Sequence, residues 1–256
     1  MKPLCIELFA GCFGWGRGFV AEGFKVVGFD ILHENYHGDV PEGCSLVLQD
    51  VLTLHGSQFR NAAVIVASPP CQEYSWMAMP FSRGKRKAEE YRNGTRDVAD
   101  LTRLFDACFR IQREASEAAG RHIPMVVENV KGAQPWVGRA KWHYGSFYLW
   151  GDVPAIMPIV GGCAKIPGQN WNDFRKHGKV SPVWNMQKQT IWFNDDKRRA
   201  VKNGGYWYGS GTDCSLMRQM SSKSKARKAA SAQIAKIPFD LARYIAQVYK
   251  PHGGSV

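Results

Sequence analysis

The sequence predicts an α/β fold: a parallel-type sheet covered by helices, with a small irregular subdomain attached. Three observations lead there. Apolar, strand-like runs alternate with helix-like pieces through the first half of the chain, the pattern of a sheet wrapped by helices. One run, Ala62-Ala63-Val64-Ile65-Val66-Ala67, is apolar throughout, as in a strand buried on both faces. Beyond Lys131 the alternation dissolves into a stretch rich in Gly, Trp, Pro and Asn.

The elements follow in order. Leu4 to Phe9 reads as a strand, followed by a glycine-rich turn, Ala10 to Gly18, and a short helix from about Gly16 to Glu22 closed by Gly23. A second strand, Lys25 to Phe29, ends at Asp30. A third, Ser45 to Gln49, ends at Asp50, and Ala62 to Ala67 is the fourth. Gln72 to Arg96 is a long polar and basic stretch. An amphipathic helix is expected from about Asp97 to Ala119, with Val98, Leu101, Leu104, Phe105, Cys108 and Ile111 on one face. Met125-Val126-Val127 is a fifth strand, ending at Glu128-Asn129.

This order suggests residues 1–131 as a cofactor-binding catalytic domain and 132–222 as a loop-rich region suited to contacting DNA. Residues 223–256, a basic segment and a helix, would complete the catalytic domain. The middle region holds all but Trp15 and Trp76 of the nine tryptophans. Helical periodicity returns through Ile234, Leu241, Ile245 and Val248, and Pro238 places the start of that last helix near itself.

Composition narrows the classes of function. Hydrophobic residues at 45% and charged ones at 22% fit a globular chain. No apolar stretch of about twenty residues is present, so no membrane partner is expected, and the N-terminus lacks the features of a signal peptide. A cytoplasmic location follows as an expectation, and a monomer is the simplest assembly. The net charge of +12 is clustered in 83–87, 197–199 and 223–228, fields that attract a polyanion such as DNA or RNA. The seven cysteines have no paired spacing of the zinc type, so no metal is expected.

Four strand ends carry Asp30, Asp50, Cys71 and Glu128, a glycine-rich turn follows the first strand, and ligands bind at the carboxyl ends of strands in such sheets. The turn Phe9-Ala10-Gly11-Cys12-Phe13-Gly14 would let a nucleotide-like ligand approach the backbone near a helix N-terminus. Asp30 is placed for ribose hydroxyls and Asp50 for an adenine amine. Taken alone, the turn fits any dinucleotide or adenosyl site, or a structural turn. In Ser68-Pro69-Pro70-Cys71-Gln72, two prolines stiffen the exit from a buried strand and set a thiol at the mouth of the sheet, where a thiolate is a good nucleophile. Glu128-Asn129 adds a carboxylate suited to protonating a ring nitrogen as sulfur adds to the ring.

These elements in this order resemble the DNA cytosine 5-methyltransferases. Phe9-Ala10-Gly11 is similar to that family's first cofactor motif, Pro70-Cys71-Gln72 to its nucleophile motif, and Glu128-Asn129-Val130 to its glutamate motif. The resemblance implies a Rossmann-like, S-adenosylmethionine-dependent methyltransferase fold and DNA as partner. It implies S-adenosyl-L-methionine as cofactor, held by Phe9, Ala10, Gly11, Phe13, Gly14, Asp30, Ile31, Asp50, Val51 and Pro70. The segment Ile234 to Pro238 is similar to the family's last motif and adds Ala235 and Lys236 at the methionine end. It further implies catalysis by Cys71, Glu128 and Asn129 on a flipped-out base. DNA would be met by Gln72, Ser75, Arg83, Lys85 and Arg86, in a loop that closes over it.

The chain departs from the pattern in three places. Phe13 stands where the family usually has glycine. The arginine-rich motif has no clear counterpart, with Arg139 and the Gln187-Lys188-Gln189 run as candidates. The second half is short, as in a compact phage-encoded member. Other readings are a catalytically silent DNA-binding protein on the same fold and an exocyclic-amine methyltransferase. A third is a cofactor variant with an extra carboxyl group, paired with Lys236.

Overall fold

The structure, a computed structural model, describes residues 2–31, 40–74, 81–155, 157 and 235–251. The chain runs β1 (Leu4–Leu8), α1 (Gly14–Ala21), β2 (Lys25–Asp30), β3 (Cys44–Leu48), β4 (Val64–Ala67), α2 (Phe81–Arg92), α3 (Val98–Ala119) and β5 (Met125–Asn129). Then come α4 (Gln134–Val137), β6 (Trp142–Tyr144), β7 (Phe147–Gly151) and α5 (Phe239–Tyr249). The strands form one seven-stranded sheet in the order β3-β2-β1-β4-β5-β7-β6. The ladders from β3 to β5 are parallel, and β7 runs antiparallel to both β5 and β6. This is the α/β arrangement with a parallel sheet that the strand pattern predicts, and the Rossmann-like one that the resemblance implies.

Alternation along the strands builds a core on each face of the sheet, because successive side chains point to opposite sides. Ile6, Leu8, Ile65, Met125 and Val127 pack with Phe105, Cys108 and Ile111 of α3. Cys5, Val64, Val66 and Val126 pack on the other face with Phe19 of α1 and Leu241, Ala242 and Ile245 of α5. β4 and β5 are buried at every position, which explains the apolar runs Val64–Ala67 and Met125–Val127. α1 and α5 lie close together: a Cβ on Gly18 would sit 2.5 Å from the Ala242 Cβ. α3 starts where Asp97 Oδ1 accepts from the Ala99 N–H at 2.8 Å and ends at Gly120, φ +63°.

Two expectations change. The sheet does not stop near Lys131: β6 and β7 extend it through Gly151. They form a hairpin about Gly145, φ +60°, with Tyr144 opposite Phe147. A pattern of parallel strands separated by helices does not reveal such an antiparallel edge. Residues 142–151 thus belong to the sheet rather than to an irregular subdomain; 158–234 lie outside the described residues. The polar stretch Gln72 to Arg96 contains a helix, α2, whose buried positions Gly84, Ala88 and Tyr91 are spaced as on one helical face. Its overall polarity masks that spacing. The final helix begins as expected, with Pro238 as its N-cap.

Candidate active site

Registry sets the site. Leu8 pairs with Phe29 on one side and Ala67 on the other, and Ala67 pairs with Val127. The residues that follow, Phe9, Asp30, Ser68 and Glu128, therefore come at the carboxyl edge of the parallel strands, Asp30 still paired with Leu48 and Glu128 with Leu149. The turn after β1, Asp30, the segment that leads to Cys71 and Glu128 thus start from one edge because the parallel strands share one register.

The turn after β1 is a backbone device. Phe9, Gly11 and Phe13 all have positive φ, at 58°, 48° and 52°. Asp30, itself 7% exposed, accepts from the Gly11 N–H through Oδ2 at 3.0 Å, fixing the turn to the end of β2. Phe13 bears the left-handed conformation without being glycine, and its ring is 2% exposed. The space for that ring comes from two glycines: a Cβ on Gly28 would approach it to 2.6 Å, and one on Gly16 to 3.0 Å. The missing glycine at position 13 is thus offset by glycines elsewhere.

Glu7 went unnoticed in the sequence, where it is one carboxylate in an apolar run. It is 2% exposed and receives the Trp15 and Gly16 N–H groups at 3.2 and 2.9 Å. Phe13, the N-cap of α1, provides no side-chain cap, so Glu7 fills that role from the neighbouring strand. Burial pushes its carboxyl up to about 8, against the lowering effect of the two N–H groups.

The Cys71 segment is held at three points. Trp15 Nε1 donates to Ser68 Oγ at 3.0 Å, and Asn129 Nδ2 donates to the Pro69 carbonyl at 3.0 Å. The Tyr74 hydroxyl donates to the Leu101 carbonyl at 2.8 Å, and its N–H to that of Cys71 at 3.0 Å. Cys71 is half-buried, between buried Pro69 and exposed Pro70 and Gln72. Glu128 is 4% exposed and Asn129 1%. The amide of Asn129, expected among the catalytic groups, is engaged with Pro69 and, through Oδ1, with the Val130 N–H at 2.8 Å.

The remaining expected residues fall as follows. Ala10 and Phe13 are buried in the core on one face of the sheet, and Val51 in the core on the other. Ile31 is 62% exposed beside Asp30. Asp50 is exposed and accepts from the Leu52 N–H at 2.9 Å. Gly14 is covered by the segment before α5: a Cβ there would meet the Ile237 N at 2.6 Å and the Lys236 Cγ at 3.2 Å. Ala235 and Lys236 are accordingly brought to the first cofactor motif across the whole chain. Arg83, Lys85 and Arg86 lie on α2, the latter two exposed, and Arg139 is exposed after α4. α2 is joined to the Cys71 segment by an ion pair between Lys87 and Glu73. Ser75 and Gln187-Lys188-Gln189 lie outside the described residues. Among the described residues, no group of three or more His, Cys, Asp or Glu is arranged to hold a metal, and no helix is long and apolar enough to cross a membrane.

A type II methyltransferase of Arthrospira platensis, M.AplI, is 30% identical over 131 residues, which are 50% of this chain and 31% of that protein. The chain resembles the DNA methyltransferase family. Its matched part spans under a third of that relative's length. No protein-family model matches. Among solved structures, the S. pombe Dnmt2 methyltransferase matches at 16% identity and TM-score 0.34, over 54% of this chain and 37% of that one. The Entamoeba histolytica methyltransferase EhMeth matches at 17% identity and TM-score 0.31, over 54% and 41%. A candidate DNA modification methyltransferase encoded within a prophage (E. coli) matches at 20% identity and TM-score 0.31, over 52% and 33%. The sheet itself is a Rossmann-like parallel sheet with an antiparallel β7 inserted between β5 and β6.

Proposed function

We propose that this protein is a DNA (cytosine-5-)-methyltransferase that uses S-adenosyl-L-methionine and attacks a flipped-out cytosine through Cys71. The observation that carries this reading is the shared exit of β4 and β5. Their register places Ser68 beside Glu128, and the Asn129–Pro69 hydrogen bond ties the thiol-bearing segment to the strand that bears the carboxyl.

The residues fit the cofactor. A turn with three positive φ angles would bring backbone to the ligand at the N-terminal end of α1, and Asp30 stands at the next strand end. Phe9, Gly11, Asp30, Ile31 and Asp50 would hold the adenosyl part, and Lys236, beside Gly14, the amino-acid end. When bound, the cofactor supplies a sulfonium-activated methyl group. On the protein side, the Cys71 thiolate forms a bond to carbon 6 of cytosine while the Glu128 carboxyl holds ring nitrogen 3 and gives it a proton. Carbon 5 thereby becomes nucleophilic and takes the methyl group. Removal of its proton then lets the thiolate leave, restoring the ring. The exposed Lys85 and Arg86 on α2 and Arg139 would meet phosphates.

The test is to incubate the protein and cofactor with DNA containing 5-fluorocytosine. The blocked loss from carbon 5 should trap a covalent complex with the wild-type chain and none with Cys71→Ser. Absence of both adduct and methyl incorporation would overturn the enzymatic reading in favour of a silent DNA binder. Methylation of the exocyclic amine that survives Cys71→Ala would favour the other base chemistry. Mass spectrometry of the treated DNA separates a methyl from a carboxymethyl product, and so an ordinary from a carboxylated cofactor.

A further inference from the structure

We infer that Trp15 is a positioning residue for Cys71: its indole N–H, fixed at the start of α1, sets the exit of β4 through Ser68 and with it the place of the thiol. This rests on the methyltransferase reading above and concerns two residues, Trp15 and Ser68, outside the motifs that suggested it.

Trp15 is itself firmly placed. It is 1% exposed, and its main-chain N–H donates to Glu7 Oε1 on β1 at 3.2 Å. The ring belongs to the core between α1 and the sheet, with Phe13, Phe19 and Val66. From there the indole Nε1 reaches Ser68 Oγ at 3.0 Å, across 53 residues of sequence. Alternation explains the meeting. Val64 and Val66 face this core, so Ser68, two residues further on, points the same way. Trp15 therefore bridges neighbouring strands: anchored on β1, it holds the residue that follows β4.

What Ser68 fixes is passed on to the thiol. Its N–H donates to the Leu8 carbonyl at 3.3 Å, and the prolines at 69 and 70 have no N–H with which to continue that ladder. Both prolines also restrict φ, so the short link from Ser68 to Cys71 transmits a shift rather than absorbing it. On the other side of β4, Glu128 is level with Ser68 and follows Val126, which faces the same core. The Trp15–Ser68 bond thus lies where the segment bearing the thiol parts from the strand bearing the carboxyl.

The bond can be removed from either side. Trp15→Phe keeps an aromatic ring in the core and removes the donor. Ser68→Ala removes the acceptor and leaves a buried indole N–H unpaired, which the fold must accommodate by a shift or at a cost in stability. Ser68→Thr keeps a hydroxyl at the same place. A bond that only stabilises the fold would change the melting of these variants and leave the chemistry of the folded molecules alone. A bond that places Cys71 changes the rate at which folded molecules react.

The experiment is covalent trapping of 5-fluorocytosine DNA by the full chain with S-adenosylmethionine over a range of DNA concentrations. It reads the maximal rate apart from the half-saturating concentration, and urea melts of the same samples give the folded fraction. Trp15→Phe and Ser68→Ala should each lower the maximal rate by up to about 100-fold, the scale of a displacement of about 1 Å, with half-saturation unchanged. Ser68→Thr should trap at close to the wild-type rate. The double variant Trp15→Phe/Ser68→Ala should lose no more than the worse single variant, because both changes remove one bond. If Trp15→Phe does not fold, Ser68→Ala against Ser68→Thr makes the same comparison. Maximal rates equal to the wild type after correction for folded fraction, or single losses that multiply in the double variant, overturn the positioning role. A wild-type chain that traps no DNA would instead count against the cytosine reading, and the role of Trp15 would fall with it.

Discussion

Asn129 donates its side-chain amide to the main-chain carbonyl of Pro69 at 3.0 Å, inside the protein and across sixty residues of sequence. That single bond ties the end of β5 to the segment that presents Cys71. A carbonyl at buried Pro69 has few other donors to turn to, since prolines at 69 and 70 bring no N–H of their own.

Asn129→Ala leaves that carbonyl without its partner, at a cost of about 1–3 kcal/mol. The greater effect should fall on the Cys71 segment, because a misplacement of about 1 Å can cost on the order of 100-fold in rate. Trapping kinetics on 5-fluorocytosine DNA, beside a denaturant melt, separate the two effects. Equal trapping rates in variant and wild type would show that the bond does not position Cys71.

Phe13→Gly restores the residue usual in the resembled family and relieves a left-handed backbone by about 1 kcal/mol. It also removes a buried ring that Gly16 and Gly28 make room for, and losing a buried phenylalanine costs roughly 3–5 kcal/mol. The variant should be destabilised by about 2 kcal/mol or more in urea melts. A variant as stable as the wild type would show that the ring's packing adds little.

Lys85 and Arg86 are both exposed on α2. Replacing the two with alanine should weaken DNA binding across all sequences alike. It should also reduce the slope of log affinity against log salt by up to about 1.8, near 0.9 for each phosphate that is no longer neutralised. Binding measured over a salt series gives the slope directly, and an unchanged slope would place the DNA elsewhere.

The raised carboxyl of Glu7 has a consequence for the unliganded fold. Its folded value is about 8 against an ordinary 4.5. The folded chain therefore binds more protons between those limits, and this contribution to stability is full below about 4.5 and lost as pH rises toward 8. Across that window the thermal midpoint of the wild type should fall more steeply than that of Glu7→Gln. Parallel curves would show that Glu7 is already ionised in the folded chain.

The amino-acid sequence by itself determined the parallel half of the sheet. Largely apolar runs of strand length identify β1, β2, β4 and β5 with little help from tertiary contacts. They place Asp30 and Glu128 at strand ends because a strand buried on both faces cannot end on a charge anywhere but its edge. Pro70-Cys71-Gln72 and Glu128-Asn129 stand out in the sequence because they fall at or just after the ends of such strands. The tertiary structure decided what local pattern does not encode. The antiparallel β6–β7 hairpin borrows its burial from β5, and α2 is mostly polar, with Gly84, Ala88 and Tyr91 buried along it. Glu7 reads as one acidic residue in a strand until α1 folds back over it. Its role, like that of Asn129 and of the space around Phe13, lies in contacts between residues distant in sequence, and those exist only once the chain has closed.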